Sequence, residues 1–276
     1  MPDMMGGIHA RRPWRAQGNP SQIRGKDRDK SREHCQTAPM DAEEYARMDA
    51  AEGRMWWYRA LHARLLGALA GVSGLVLDAG CGTGGFLALL RAQRPDLAVA
   101  GVEWDGRAAA RAAAKSGAPI ARGSVNALPF ADAAFAAVVS ADVLSHAAVE
   151  PAQALGELRR VLRPGGLLVL NMPAHAWLLS AHDRHVHNVR RWGAAETRAM
   201  LRRAGFAAMR TRYWNGLLLP LMAARRALRP SAAASDVAAF PPWLDATLHA
   251  VTEAERRMGL SLPLGGSVLA VATRRA

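Results

Sequence analysis

The feature that most constrains this chain is an apolar run leading into a glycine turn and then into a helical segment: Val76-Leu77-Asp78-Ala79-Gly80-Cys81-Gly82-Thr83-Gly84-Gly85-Phe86. Such a run, bounded by glycines, reads as a buried strand. The glycines permit positive φ and close approach of a ligand to the backbone, and the helix that follows aims free N–H groups at the turn. A second strand-like run ends in Gly101-Val102-Glu103-Trp104-Asp105. Its acidic side chain lies about 20 residues beyond the turn, where it is placed to accept hydrogen bonds from the hydroxyls of a ribose. The turn reads D-x-G-x-G-x-G, not G-x-G-x-x-G. That spacing suits adenosine carrying an amino-acid tail better than a pyrophosphate. The competing reading makes Asp78 a turn cap and Glu103 a solvated strand end, and it requires two coincidences.

Around this motif, strand-like and helix-like segments alternate. Strands are predicted at 75–77, 97–102, around Ile120, and at 136–140, 167–172, 209–214 and 267–273. Helical segments are predicted at 86–94, 106–116, 151–162 and 194–204. Strands separated by helix-length crossovers imply a Rossmann-like α/β fold: a mostly parallel seven-stranded sheet with helices on both faces. The last strand is expected to join the edge of the sheet. Tyr45, Met48, Met55, Trp56, Tyr58, Leu61, Leu65, Leu66 and Leu69 recur at helical spacing and predict an N-terminal helical cap over 40–72. The expected organisation continues with a core at 73–215, a helical insertion or substrate cap at 216–262, and the final core strand at 263–276.

Residues 1–39 have no such periodicity and contain eight Lys/Arg against four Asp/Glu. They read as a disordered basic arm, or as sequence upstream of a true start at Met40. The net charge of +13 suggests nucleic acid, but only three of the 36 basic residues are lysine in an alanine-rich chain. That make-up reads first as a compositional background. The two cysteines, Cys35 and Cys81, cannot build a disulfide framework, and no apolar run reaches membrane-spanning length. A cytoplasmic location is the default expectation.

The runs VLDAGCGTGGF, GVEWD, GSVNALPF (123–130) and VLRPGG (161–166) stand in the order and spacing of class I S-adenosylmethionine-dependent methyltransferases, and the chain resembles that family over about 73–172. The resemblance implies S-adenosylmethionine as cofactor. It places Asp78, Gly80, Cys81, Gly82, Gly84, Glu103 and Trp104 around the cofactor, with Gly80, Gly82 and Gly84 near the methionine part and Glu103 on the ribose. Ser124, Val125 and Asn126 would flank the adenine. Ala141 and Asp142 would face the sulfonium. Many relatives carry aspartate where Ser124 stands, so the adenine contact here would rely more on backbone groups.

The acceptor side is expected in the stretch after the fifth strand, which holds His175, His182, Asp183, His185, His187, Asn188, Arg190, Arg191 and Trp192. Histidine supplies a base whose pKa lies near neutrality. His182, oriented by Asp183, is the expected proton acceptor, with His187 as the second choice. The bland alternative makes this stretch a hydrogen-bonded lid hinge. A zinc site at His182, His185 and His187 lacks a cysteine or clear fourth ligand, so no metal is expected. Together with Trp56-Trp57-Tyr58, the stretch resembles a bacterial methyltransferase subgroup acting on small-molecule or lipid-intermediate acceptors, which has histidine at the place of Asn188. The apolar run 217–224 followed by Arg225-Arg226 reads as cap packing or as peripheral membrane contact. An RNA methyltransferase using the basic arm is the alternative function. Against the commoner nucleic-acid enzymes, the fourth strand ends Ser140-Ala141-Asp142-Val143, without a Pro-Pro-aromatic element, and no cysteine is placed as a nucleophile.

Overall fold

The computed structural model describes residues 42–180, 183, 186–228 and 240–275. The arm 1–39 lies outside the described residues. Seven strands form one sheet: β1 (Leu75–Ala79), β2 (Ala98–Glu103), β3 (Ile120–Arg122), β4 (Phe135–Ala141), β5 (Leu162–Pro173), β6 (Phe206–Trp214) and β7 (Ser267–Arg274). Their spatial order is β3-β2-β1-β4-β5-β7-β6. The first five are mutually parallel, and β7 is antiparallel to both of its neighbours. The sheet is therefore the mostly parallel, doubly wound one read from the sequence, with one difference. β7 sits inside the sheet and β6 forms the edge. The reason lies in the side chains: β7 opens with Ser-Val-Leu-Ala-Val-Ala, small or apolar over 267–272, whereas β6 carries Arg210 and Arg212 in its middle, charges that blunt an open edge.

The two faces of the sheet follow the period of two along each strand. Leu77, Val138, Leu168 and Leu170 point to one face, against α5 (Pro151–Val161) and α6 (Ala194–Arg203). Val76, Val139 and Val169 point to the other, against α2 (Trp56–Ala68), α3 (Gly85–Gln93) and α4 (Gly106–Ser116). Asp105 caps α4 by accepting from the backbone N–H of Arg107 and Ala108, and Gly117 ends it at φ 61°. Proline opens α5, and the chain passes from Val161 directly into β5. There Leu162 pairs with Phe135 and Leu167 with Ala137, so 163–166 bulge out of the ladder, with Gly165 at φ 73°.

The helical cap predicted over 40–72 is two helices. α1 (Ala42–Ala51) and α2 are separated by Glu52-Gly53-Arg54-Met55. The insertion supplies α7 (Leu219–Leu228) and α8 (Pro242–Arg257). Trp56, Leu218 and Leu248 join α2, the start of α7 and α8 in a small apolar cluster of their own. Asp245 at the start of α8 accepts from the Trp56 N–H at 2.7 Å and from the Arg59 guanidinium at 2.5 Å. No described helix is long and apolar enough to cross a membrane.

Candidate cofactor and acceptor site

The glycine turn leaves β1 at the carboxyl edge of the sheet, where open α/β sheets bind ligands. Gly80, Gly82 and Gly84 have φ of 85°, 54° and 88°. The reasons for glycine differ among them. A Cβ on Gly80 would overlap Val143, which follows β4, and one on Gly84 would come within 2.7 Å of the Ala112 Cα in α4. A Cβ on Gly82 would meet nothing nearer than the Met48 Cε at 3.8 Å. Gly80 and Gly84 are thus fixed by the protein's own packing. Gly82 is the member of the three that borders open space.

Glu103 ends β2 beside this turn and is buried. Its carboxylate accepts from the N–H groups of Gly82 at 2.9 Å and Asp105 at 3.1 Å. Burial raises its pKa, and the N–H groups of Asp105, Gly82 and Trp104 oppose that rise. Asp78 lies buried beneath the turn. Burial pushes its carboxyl up to about 7, and the nearby Glu103 and Glu52 carboxylates add to the shift. Burial likewise raises the Cys81 thiol, whose Sγ packs by Gly101, so Cys81 serves the turn as a small apolar side chain. Trp104 next to Glu103 is 62% exposed.

Two cap residues that the sequence reading did not assign to the site reach it. Tyr45 of α1 lies with its hydroxyl 3.4 Å from Glu103 Oε1, and burial and Glu103 raise its pKa. Glu52 accepts a hydrogen bond from the buried Thr83 hydroxyl at 2.7 Å and pairs with Lys115 of α4. Tyr45 had a visible signal, but only as one position of an apolar helical stripe. Nothing in the sequence joined Glu52 to Thr83.

On the adenine side, Ser124 Oγ accepts from the Asn126 N–H at 3.2 Å, and Val125 is buried. The Asn126 amide is committed elsewhere: it donates to Ala148 O and accepts from the Glu150 N–H, both at 3.0 Å. Asn126 therefore pins this segment to the turn before α5.

The stretch after β5 folds back on the turn after β4. Ala147 N–H donates to His187 O and Val189 N–H to Ser145 O, both at 2.9 Å. The Ser145 hydroxyl and the Asn188 side-chain amide meet at 2.8 Å, and Arg190 donates to the carbonyls of His146 and Val149. His187 thus stands beside His146, whose pKa is lowered to about 4, chiefly by burial and further by His187. His182 and His185 lie outside the described residues. Asp183 is buried and its carboxylate is taken: Arg191 donates to both oxygens, at 2.7 and 2.9 Å, and the Ser180 hydroxyl and N–H donate to Oδ2. Burial would raise its pKa, but Arg191 and Ser180 outweigh it and hold it low. His182, the imidazole that Asp183 was expected to orient, lies outside the described residues, and the partners Asp183 has among them are Arg191 and Ser180. The residue anchors its own loop through an arginine eight positions on, a partner that was visible in the sequence only as part of an Arg-Arg pair.

Ala141 ends β4, and Asp142 follows it at φ 58°, partly exposed. Asn171 of β5 donates from Nδ2 to Asp142 Oδ1 at 3.0 Å, and Trp214 Nε1 donates to Asn171 Oδ1 at 2.8 Å. Trp214 stacks on Trp57 at 6.1 Å and lies under the Arg64 guanidinium at 4.5 Å. Arg64 faces Glu255 of α8 at 3.9 Å. A continuous chain of contacts therefore runs from α2 and α8 to the carboxyl end of β4.

A Rossmann-like sheet with a glycine turn after β1 and a buried carboxylate after β2 defines a nucleoside-binding α/β domain. A methyltransferase domain family matches residues 77–170. That match holds the glycine turn, Glu103 and the corner after β4, the stretch over which the chain is similar to class I S-adenosylmethionine-dependent methyltransferases. It is 32% identical, over 56% of its length and 61% of the relative's, to a Mycolicibacterium smegmatis protein described as a probable S-adenosylmethionine-dependent methyltransferase. It is 35% identical, over 48% of its length and 37% of the relative's, to an uncharacterised transposon protein of Streptomyces fradiae. The chain thus spans less than two thirds of either relative. A S-adenosylmethionine-dependent methyltransferase of Thermotoga maritima shares the fold, with a TM-score of 0.55, 19% identity, and coverage of 84% of this chain and 96% of that one.

Proposed function

We propose that this protein transfers the methyl group of S-adenosylmethionine to a small-molecule or lipid-like acceptor. The observation that carries the reading is the pairing of Glu103 with the Gly82 N–H at 2.9 Å, at the open side of the glycine turn. In that position a carboxylate accepts from ribose hydroxyls while the turn admits the amino-acid tail. The exposed Trp104 offers an apolar face to the adenine. Methyl transfer is an in-line displacement, so the protein's share is to align acceptor and sulfonium and to remove a proton from an O–H or N–H nucleophile. The acceptor class rests on the cap. α2, α7 and α8 form a separate apolar unit next to the carboxyl edge, and Leu217 and Leu221 of this region remain exposed. A cell extract supplied with methyl-labelled S-adenosylmethionine and the protein, then divided into small-molecule, lipid, protein and nucleic-acid fractions, tests the acceptor. Label in the small-molecule or lipid fraction supports the reading, and label confined to RNA contradicts it.

A further inference from the structure

We infer that Asp142 is the residue that receives the acceptor's proton, and hence that the acceptor is an oxygen or nitrogen nucleophile bearing hydrogen. This rests on the methyl-transfer reading above. The geometry is specific. Val143, the next residue, fills the space that a Cβ on Gly80 would need, so the Asp142-Val143 corner is built directly onto the glycine turn. On its other side, the chain from Trp214 through Asn171 fixes one carboxylate oxygen. Because Trp214 Nε1 only donates, it identifies the Asn171 atom it meets as the oxygen, and the Asn171 nitrogen is left to donate to Asp142 Oδ1. That oxygen is spoken for. Oδ2 has no hydrogen-bond partner among the described residues, and the side chain is partly exposed at the carboxyl edge.

The backbone is also held in an unusual state. Asp142 stands at φ 58°, a conformation costly for most residues and adopted by Asp and Asn more readily than by others. Its N–H is bound by Asn171 O at 2.8 Å and its carbonyl by the Ser145 hydroxyl at 2.8 Å. The surroundings spend three hydrogen bonds and a strained φ to hold one carboxylate oxygen toward the edge of the sheet. Of the described alternatives, Asp183 is bound by Arg191 and Ser180, and His187 belongs to a segment whose backbone is zipped to the turn after β4.

The step balances without a further reactant. As the acceptor's oxygen or nitrogen forms its bond to the methyl carbon, the carbon–sulfur bond breaks and its electron pair stays on sulfur. The acceptor's proton passes to Asp142 Oδ2 and from there to solvent. Burial pushes the Asp142 carboxyl up to about 6, with Asp183 adding to the rise and Asn171 and Arg191 opposing it. Arg191 and Asp183 come from the loop after β5. A carboxyl poised there is a far better proton acceptor near neutrality than an ordinary aspartate.

The test uses the full chain, Asp142→Asn, and the same labelled extract. Asparagine keeps the shape and tolerates the positive φ. S-Adenosylhomocysteine affinity is measured in parallel by calorimetry. The expected result is label transfer reduced by roughly 100-fold or more in the variant, with affinity for S-adenosylhomocysteine within about threefold of the wild type. In the wild type, transfer should rise with pH through about 6, and the transferred methyl should sit on oxygen or nitrogen. Undiminished labelling by Asp142→Asn overturns the inference, as do loss of S-adenosylhomocysteine binding in that variant, a flat pH profile, or a methyl found on carbon or sulfur. A wild type that labels nothing and binds no S-adenosylhomocysteine overturns the methyl-transfer reading itself, a distinct result.

Discussion

At Gly84 and Gly82 the same residue type answers two different demands, and substitution separates them. Gly84→Ala must accept φ 88° and also push against the Ala112 backbone at 2.7 Å, whereas Gly82→Ala meets only the strain of φ 54°. Gly82→Ala should cost roughly 1–2 kcal/mol of folding stability, and Gly84→Ala clearly more, as read by denaturant titration. Equal losses would show that packing against α4 is not what fixes Gly84. His62 offers a pH test. It lies buried between Tyr58 and Phe86, and burial lowers its pKa from 6.5 to about 4. The unfolded chain therefore takes up the proton first as pH falls, and stability attributable to this residue is lost between pH 6.5 and about 4. His62→Phe should gain on the wild type across that window, by up to about 3 kcal/mol at 1.36 kcal/mol per unit. A stability difference independent of pH would show that His62 is not held neutral.

Among the elements, the cap is where sequence and structure diverge most usefully. A single apolar stripe over 40–72 predicted helix, and helix is what forms. The stripe could not show that Glu52 breaks it to reach Thr83, because that partner lies 31 residues away. The core strands were legible because a period of two or an unbroken apolar run reports burial locally. The chain Trp214–Asn171–Asp142 was not legible, since its members are brought together by strand order alone. The join between α2 and α8 carries its own prediction. Glu255 is buried, faces Arg64, and accepts from the N–H groups of Asn215, Gly216 and Leu217. Glu255→Ala removes the counter-charge of a buried guanidinium and the acceptor of three backbone donors. It should lower stability by ~3–5 kcal/mol, measured by urea unfolding. A loss below about 1 kcal/mol, the scale of a surface pair, would show that the cap is held by its apolar contacts.

At the scale of the whole molecule, the sequence was informative where one strand, one turn and one carboxylate had to act together. It misplaced β7 because an alternating terminal strand reads equally well at an edge or between two antiparallel neighbours. The charges on β6 decide that question only once the two strands are paired. The acceptor side was the least legible part. Its polar residues were visible in composition, but Asp183 and Arg191 spend theirs on each other. The cofactor side unites the molecule: the glycine turn, α1 and the stretch from Glu103 to the α4 N-terminus converge there from three separate parts of the chain. The central claim is that this convergence binds an adenosine with an amino-acid tail. Calorimetry of the full chain with S-adenosylhomocysteine, and with NAD as the dinucleotide control, tests it most directly. The account predicts one site for S-adenosylhomocysteine, much weaker binding of NAD, and a loss of ~1.5–3 kcal/mol in Glu103→Ala, the scale of charge-assisted hydrogen bonds. No heat with S-adenosylhomocysteine, or an affinity that Glu103→Ala leaves unchanged, would contradict it.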